Sequence, residues 1–243
     1  MSLLNSAYRH KVWYWNIKGV LLLKRLPRWI EYGAFILAFS AGCINAIGLS
    51  GLSHQAISHL SGTATLVGSA IINTNFTLML HFVLILLSFL VGAALSGLFL
   101  SGRSIKSGRP YDLLLVIEAI LLILAMLLMH KGSFYGHFLA SCACGIQNAL
   151  ATTYSGAVVR TTHVTGIFTD LGLMLGAKLR GKPLDNRKAI LFVLIILGFI
   201  SGGVLGTFLF SHYAFLALSA PVMICLILAL SYRIYVKHSP EVI

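Results

Sequence analysis

Six apolar runs, at about 31–53, 77–101, 111–130, 134–155, 189–210 and 213–235, constrain this chain more than any other feature. Each is long enough to cross ~30 Å of hydrocarbon as a helix, which takes about 20 residues. Hydrocarbon offers the backbone no hydrogen-bond partner, so a spanning segment must satisfy its own amides as a helix. The expected fold is all-α, a polytopic membrane helix bundle. Composition agrees, because 58% hydrophobic and 10% charged residues with a mean hydropathy of +0.91 lie outside the balance of a soluble domain.

Two shorter segments, 58–75 and 161–178, decide the topology. Both are helical in pattern but rich in Gly, Ser and Thr, and both sit at the low end of spanning length. Lysines and arginines in short loops stay cytoplasmic. With six crossings and the N-terminus inside, every Lys and Arg except Lys131 is cytoplasmic; with eight, Arg103, Lys106, Arg109 and Arg160 move outside. The charges predict six spans plus two short re-entrant half-helices.

The two short segments also share a phrase. HLSGTAT at 59–65 returns as HVTGIFT at 163–169, preceded by AGCINA at 41–46 and CGIQNA at 144–149. Further on, Gly68 pairs with Gly172, and GAALSGLFL at 92–100 resembles SGGVLGTFL at 201–209. The expectation is two inverted-topology repeats, 31–130 and 131–236, each ordered span, re-entrant segment, span, span. Residues 1–30 interleave cations with Trp13, Trp15 and Trp29, the pattern of a basic, aromatic interfacial segment lying on anionic lipid headgroups. Residues 237–243 form a cytoplasmic tail. The net charge of +12 flanks spans and forms no separate basic domain, so no nucleic-acid partner is expected.

A re-entrant segment survives at membrane depth only when buried in protein or lining a wet cavity. Two half-helix N-termini meeting near the centre, with Ser61 and Thr165 as capping residues, would attract anions or polar solutes. The candidate site is Asn45, His59, Ser61, Gly62 and Thr63 from one half and Asn148, His163, Thr165 and Gly166 from the other. Glu118 and Asp170 are acids within apolar segments, costly enough to suggest proton coupling. The expected function is a membrane channel or secondary transporter for a small anionic or polar solute. The rival is a non-transporting scaffold or lipid-binding component, and an intramembrane enzyme acting on lipid through His59 and His163 stands third.

No HExxH, GxSxG or P-loop occurs, so an enzyme is not expected, nor a cofactor. Cys43, Cys142, Cys144 and Cys225 all fall in apolar runs, where no disulfide is expected, and the histidine pair lacks further ligands for a metal. Oligomeric state leaves no mark in the sequence.

The AGxxNA, HxSGTxTLxG, GIQNA and RTTHVTG stretches resemble the YoaK-like family of bacterial inner-membrane proteins, a group defined by a domain of unknown function. The resemblance spans roughly 33–232. It implies a bacterial inner membrane, about six spans and cytoplasmic termini, with no activity attached. This chain departs from that pattern by carrying Asn45 where members have Asp, and Thr63 where members have Asn; any coupling through such an acid would be missing here.

Overall fold

The computed structural model describes residues 29–51, 55–100, 110–154 and 160–238. The interfacial segment and the tail lie outside them, apart from their innermost residues. Among the described residues the regular structure is entirely helical: α1 (Trp29–Ser50), α2 (Leu60–Ile72), α3 (Phe76–Leu100), α4 (Tyr111–His130), α5 (Tyr135–Tyr154), α6 (Val164–Leu179), α7 (Asn186–Tyr213), a 3-10 turn (Ala214–Leu218) and α8 (Ser219–His238).

Local chemistry sets several of these ends. Asp185 caps α7 by accepting the Lys188 backbone N–H at 3.1 Å. Pro221 sits in the first turn of α8, where its missing N–H costs nothing. The α4–α5 hairpin turns at Gly132, φ +76°, whose N–H reaches the Met129 carbonyl while Ser133 reaches Leu128. Both bonds satisfy carbonyls that the helix end would otherwise leave open, and the left-handed backbone there favours glycine.

Stretches within Glu31–Ser50, Phe76–Leu100, Tyr111–His130 and Asn186–His238 are long and apolar enough to cross a membrane. Their outward faces carry a belt of exposed Leu, Ile, Val and Phe, including Leu87, Leu90, Ile120, Leu127, Leu197, Ile200 and Ile227. These features suggest a membrane-spanning protein. Helix α5 does not reach the same hydropathy, for a packing reason. It is the central helix, in contact with α1, α3 and α4, so most of its Ser, Cys, Gly and Gln residues face protein rather than lipid.

Small residues let the helices approach closely, as packing in lipid requires. Along the α1–α7 interface, Gly198, Gly202 and Gly206 stand over the carbonyls of Phe35, Phe39 and Cys43, and Gly42 over that of Phe199. At the α3–α5 interface, Gly92 faces the Cys142 carbonyl, Gly145 faces that of Phe89, and the Ser96 hydroxyl donates to the Ile146 carbonyl at 3.1 Å. In both pairs the helices run parallel.

Helices α4 and α8 run antiparallel. Tyr111 at the start of α4 stacks edge-on with Tyr232 near the end of α8, ring centroids 5.3 Å apart, and two turns further along α4 Glu118 meets Cys225. One end of the bundle therefore gathers the starts of α1 and α4 with the ends of α5 and α8, all lining one pocket. The start of α7 joins that end through an ion pair, Arg187 Nε to Glu31 Oε1 at 2.9 Å. Lys188, Arg233 and Lys237 lie on the same side, and Lys131 lies in the hairpin at the far end.

Candidate functional site

The two repeated phrases open the two short helices. Helix α2 has 13 residues and α6 has 16, about 20 and 24 Å long at 1.5 Å per residue, short of a full hydrocarbon crossing. His59 and His163 occupy the N-cap positions, with φ −90° and −93°, and neither helix start has a side-chain cap. Ser61 and Thr165 are therefore not the capping residues that the sequence suggests. They lie in the first turn, exposed, and their carbonyls accept the hydroxyls of Thr65 and Thr169, each at 3.0 Å.

The reason is the histidine ring. At Gly62 an added Cβ would run into the His59 ring, and at Gly166 into the His163 ring. Each imidazole folds back over the glycine three residues on, one helical turn away. The spacing His-x-(Ser/Thr)-Gly is thus a local fit of ring to bare backbone, used twice. It leaves the N–H groups of the first turns uncapped: Leu60, Ser61 and Gly62 in α2, and Val164, Thr165 and Gly166 in α6. Intrahelical bonding begins only at Thr63, whose N–H meets the His59 carbonyl at 3.0 Å, and at Ile167, which meets that of His163 at 3.2 Å.

Asn45 and Asn148 hold these starts in place. The Asn45 side-chain oxygen accepts the Ser58 backbone N–H at 3.0 Å and the Ser58 hydroxyl at 3.2 Å. The Asn148 oxygen accepts the Thr162 hydroxyl at 3.3 Å. Ser58 and Thr162 each precede a repeated histidine, and comparison that starts at the histidine stops one residue short of them. Both asparagines thus have a positioning role. Thr63 is buried, with its hydroxyl on the His59 carbonyl at 3.2 Å and within 3.5 Å of the Gln55 amide.

Helix α2 packs on α3 and α6 on α7, with no substantial packing between α2 and α6. Leu37 and Leu150 line the same pocket. Counting 1.5 Å per residue from that level, Asn45 lies about 12 Å and Asn148 about 3 Å deeper, an axial separation of about 9 Å. His59 and His163 are both exposed, and beyond them Ser61, Thr65 and Gly68 on α2, and Thr165, Thr169 and Gly172 on α6, form matched exposed faces.

The acids separate as well. Asp170 is half-exposed on α6 and forms no ion pair among the described residues, whereas Glu118 is fully buried in α4. Also among the described residues, no group of three His, Cys, Asp or Glu side chains is arranged to hold a metal.

The family described as "Protein of unknown function (DUF1275)" matches residues 33–231. The chain belongs to that family. No curated protein and no solved structure matches it.

Proposed function

We propose that this DUF1275 protein is a membrane channel or secondary transporter for a small anionic or polar solute. In this reading it has six spans and two re-entrant half-helices, α2 and α6, in two inverted repeats at 31–130 and 131–236. Crossings alternate in direction, so if α2 and α6 both spanned, α4 and α8 would run parallel. Their antiparallel packing at Tyr111–Tyr232 supports re-entrance. The matched α1–α7 and α3–α5 contacts support the repeat. The basic end holding Arg187, Lys188, Arg233 and Lys237 supports cytoplasmic termini. The resemblance to YoaK-like proteins supports a bacterial inner membrane, with residues 1–30 resting on anionic lipid.

The observation that carries the reading is the pair of uncapped half-helix starts. Each leaves amide N–H groups and about half a positive charge without a side-chain partner, beside a histidine, at a depth where lipid cannot satisfy them. Water and a passing anion can. Ser61, Gly62, Thr165 and Gly166 form the solute contacts, His59 and His163 flank them, Asn45, Asn148 and Thr63 hold the starts, and Asp170 and Glu118 are the acids available for proton coupling. The reading assigns the chain no catalysis, cofactor or metal.

Anion flux into liposomes, followed across a panel from halide to formate to phosphate, tests this. Wild-type protein should conduct at least one of them. Ser61→Asp, which sets a carboxylate in the exposed first turn of α2, should cut flux roughly tenfold, the worth of about 1.4 kcal/mol. Equal flux in protein-free liposomes and with wild-type protein would sink the transport reading in favour of a scaffold or lipid-binding component.

A further inference from the structure

The pocket at the basic end has a volume of about 520 Å³ and a rim that includes Tyr32, Tyr111, Tyr232 and Tyr235. Four leucines also line it, one from each surrounding helix: Leu37 of α1, Leu115 of α4, Leu150 of α5 and Leu228 of α8. Three residues deeper on each helix, on the same face and about 4.5 Å further in, stand Ser40, Glu118, Gln147 and Cys225. A polar layer therefore lies one helical turn below an apolar one.

All four deeper residues are fully shielded from solvent. Among the described residues, the Ser40 hydroxyl, both Glu118 carboxyl oxygens and both polar atoms of the Gln147 amide have no nitrogen or oxygen partner. The Cys225 thiol lies within reach of the carboxyl. An unsatisfied buried polar group costs about 1–3 kcal/mol, and an unpaired carboxylate more, so such groups characteristically hold water or an ion. Around Glu118 the titratable neighbours are Cys144 on α5 and Cys225 on α8. The 3-10 turn packed against α4 brings only apolar side chains, and no cation pairs with the carboxylate among the described residues.

We infer that this layer is an occluded, hydrated proton-binding site, with Glu118 as the acceptor, the four leucines as its gate and the tyrosine-rimmed pocket as its vestibule. When the leucines part, a hydronium ion from vestibule water gives its proton to a Glu118 oxygen and remains behind as water. Ser40, Gln147 and the Cys225 thiol hold the water that hydrates the acid in either state. The site rests on the proposed six-crossing orientation only for the side to which it opens, the cytoplasm.

Infrared difference spectra of the purified full chain in lipid nanodiscs, recorded across a pH titration, test it directly. Against the absorption of the other five carboxyl side chains, the wild-type minus Glu118→Gln difference should show one protonated-carboxyl band that grows as pH falls and shifts in D₂O within minutes. A wild-type minus Glu118→Gln difference with no such band, or with one unmoved by D₂O, would overturn the inference. A second test uses Cys225 as the sole cysteine and a small cationic methanethiosulfonate reagent. Modification should occur from the vestibule side alone and speed up at least about tenfold in Leu115→Ala or Leu150→Ala. Labelling that Leu115→Ala and Leu150→Ala leave unchanged, or that comes from the opposite side, would overturn the gate. A dry Glu118 defeats this site and leaves the flux proposal standing, whereas an absence of anion flux leaves the spectra unaffected.

Discussion

His59 and Gly62 make a pair that neither residue explains alone, and His163 with Gly166 repeats it. Alanine is preferred to glycine inside a helix by about 1 kcal/mol, so Gly62→Ala should stabilise α2 wherever a Cβ has room. The His59 ring removes that room. We therefore expect Gly62→Ala to be neutral or destabilising in the wild-type background and stabilising by up to about 1 kcal/mol in His59→Ala. Thermal unfolding of the four proteins of this double-mutant cycle, in detergent, gives the coupling directly. Additive effects would mean that the ring does not rest on Gly62. The repeated phrase is visible in the sequence, but its use is not, since His, Ser and Gly together suit a cap or a ligand site as well as a ring-on-backbone contact.

At the scale of helices, closeness of approach is the controlling quantity. Lipid tails are as apolar as leucine, so helix association in a bilayer depends on van der Waals fit and interhelical hydrogen bonds rather than on burial. Gly202 and Gly92 lie against carbonyl oxygens of the neighbouring helix, whereas Gly97, on the same helix as Gly92, has nothing within 4 Å of an added Cβ. Gly202→Ala and Gly92→Ala should each cost about 1–3 kcal/mol by overpacking. Gly97→Ala should cost nothing measurable. Thermal denaturation of the three variants checks this, and equal effects at all three positions would contradict the interface geometry. Sequence patterning marks all of these glycines as packing residues, and only the neighbouring helix distinguishes those that bear a contact.

For the whole molecule, the decisive quantity is direction. Charge distribution favours six crossings over eight, and the antiparallel α4–α8 pair supports the same count by independent means. Cysteines placed singly at Thr74, Lys106, Lys131, Val158 and Leu184, with the four native cysteines removed, should divide in intact cells. Positions 74 and 131 should label from outside, and 106, 158 and 184 from inside only. The reverse pattern at 74, 106, 131 and 158 would make α2 and α6 crossings and the halves parallel.

The sequence by itself determined the helical membrane class, the places of the two short segments, most helix boundaries to within a few residues, and the rarity of Glu118 among apolar neighbours. These follow from length, hydropathy and local spacing, which act within one segment. Only the tertiary structure decided that Asn45 reaches Ser58, that Asn148 reaches Thr162, and that Gly92 and Gly202 lie against the Cys142 and Phe39 carbonyls. It alone aligned Ser40, Glu118, Gln147 and Cys225 under the four leucines. Those residues come from four helices spread over nearly the whole chain, and their common depth depends on how far each helix is slid along its neighbours, which no single segment encodes.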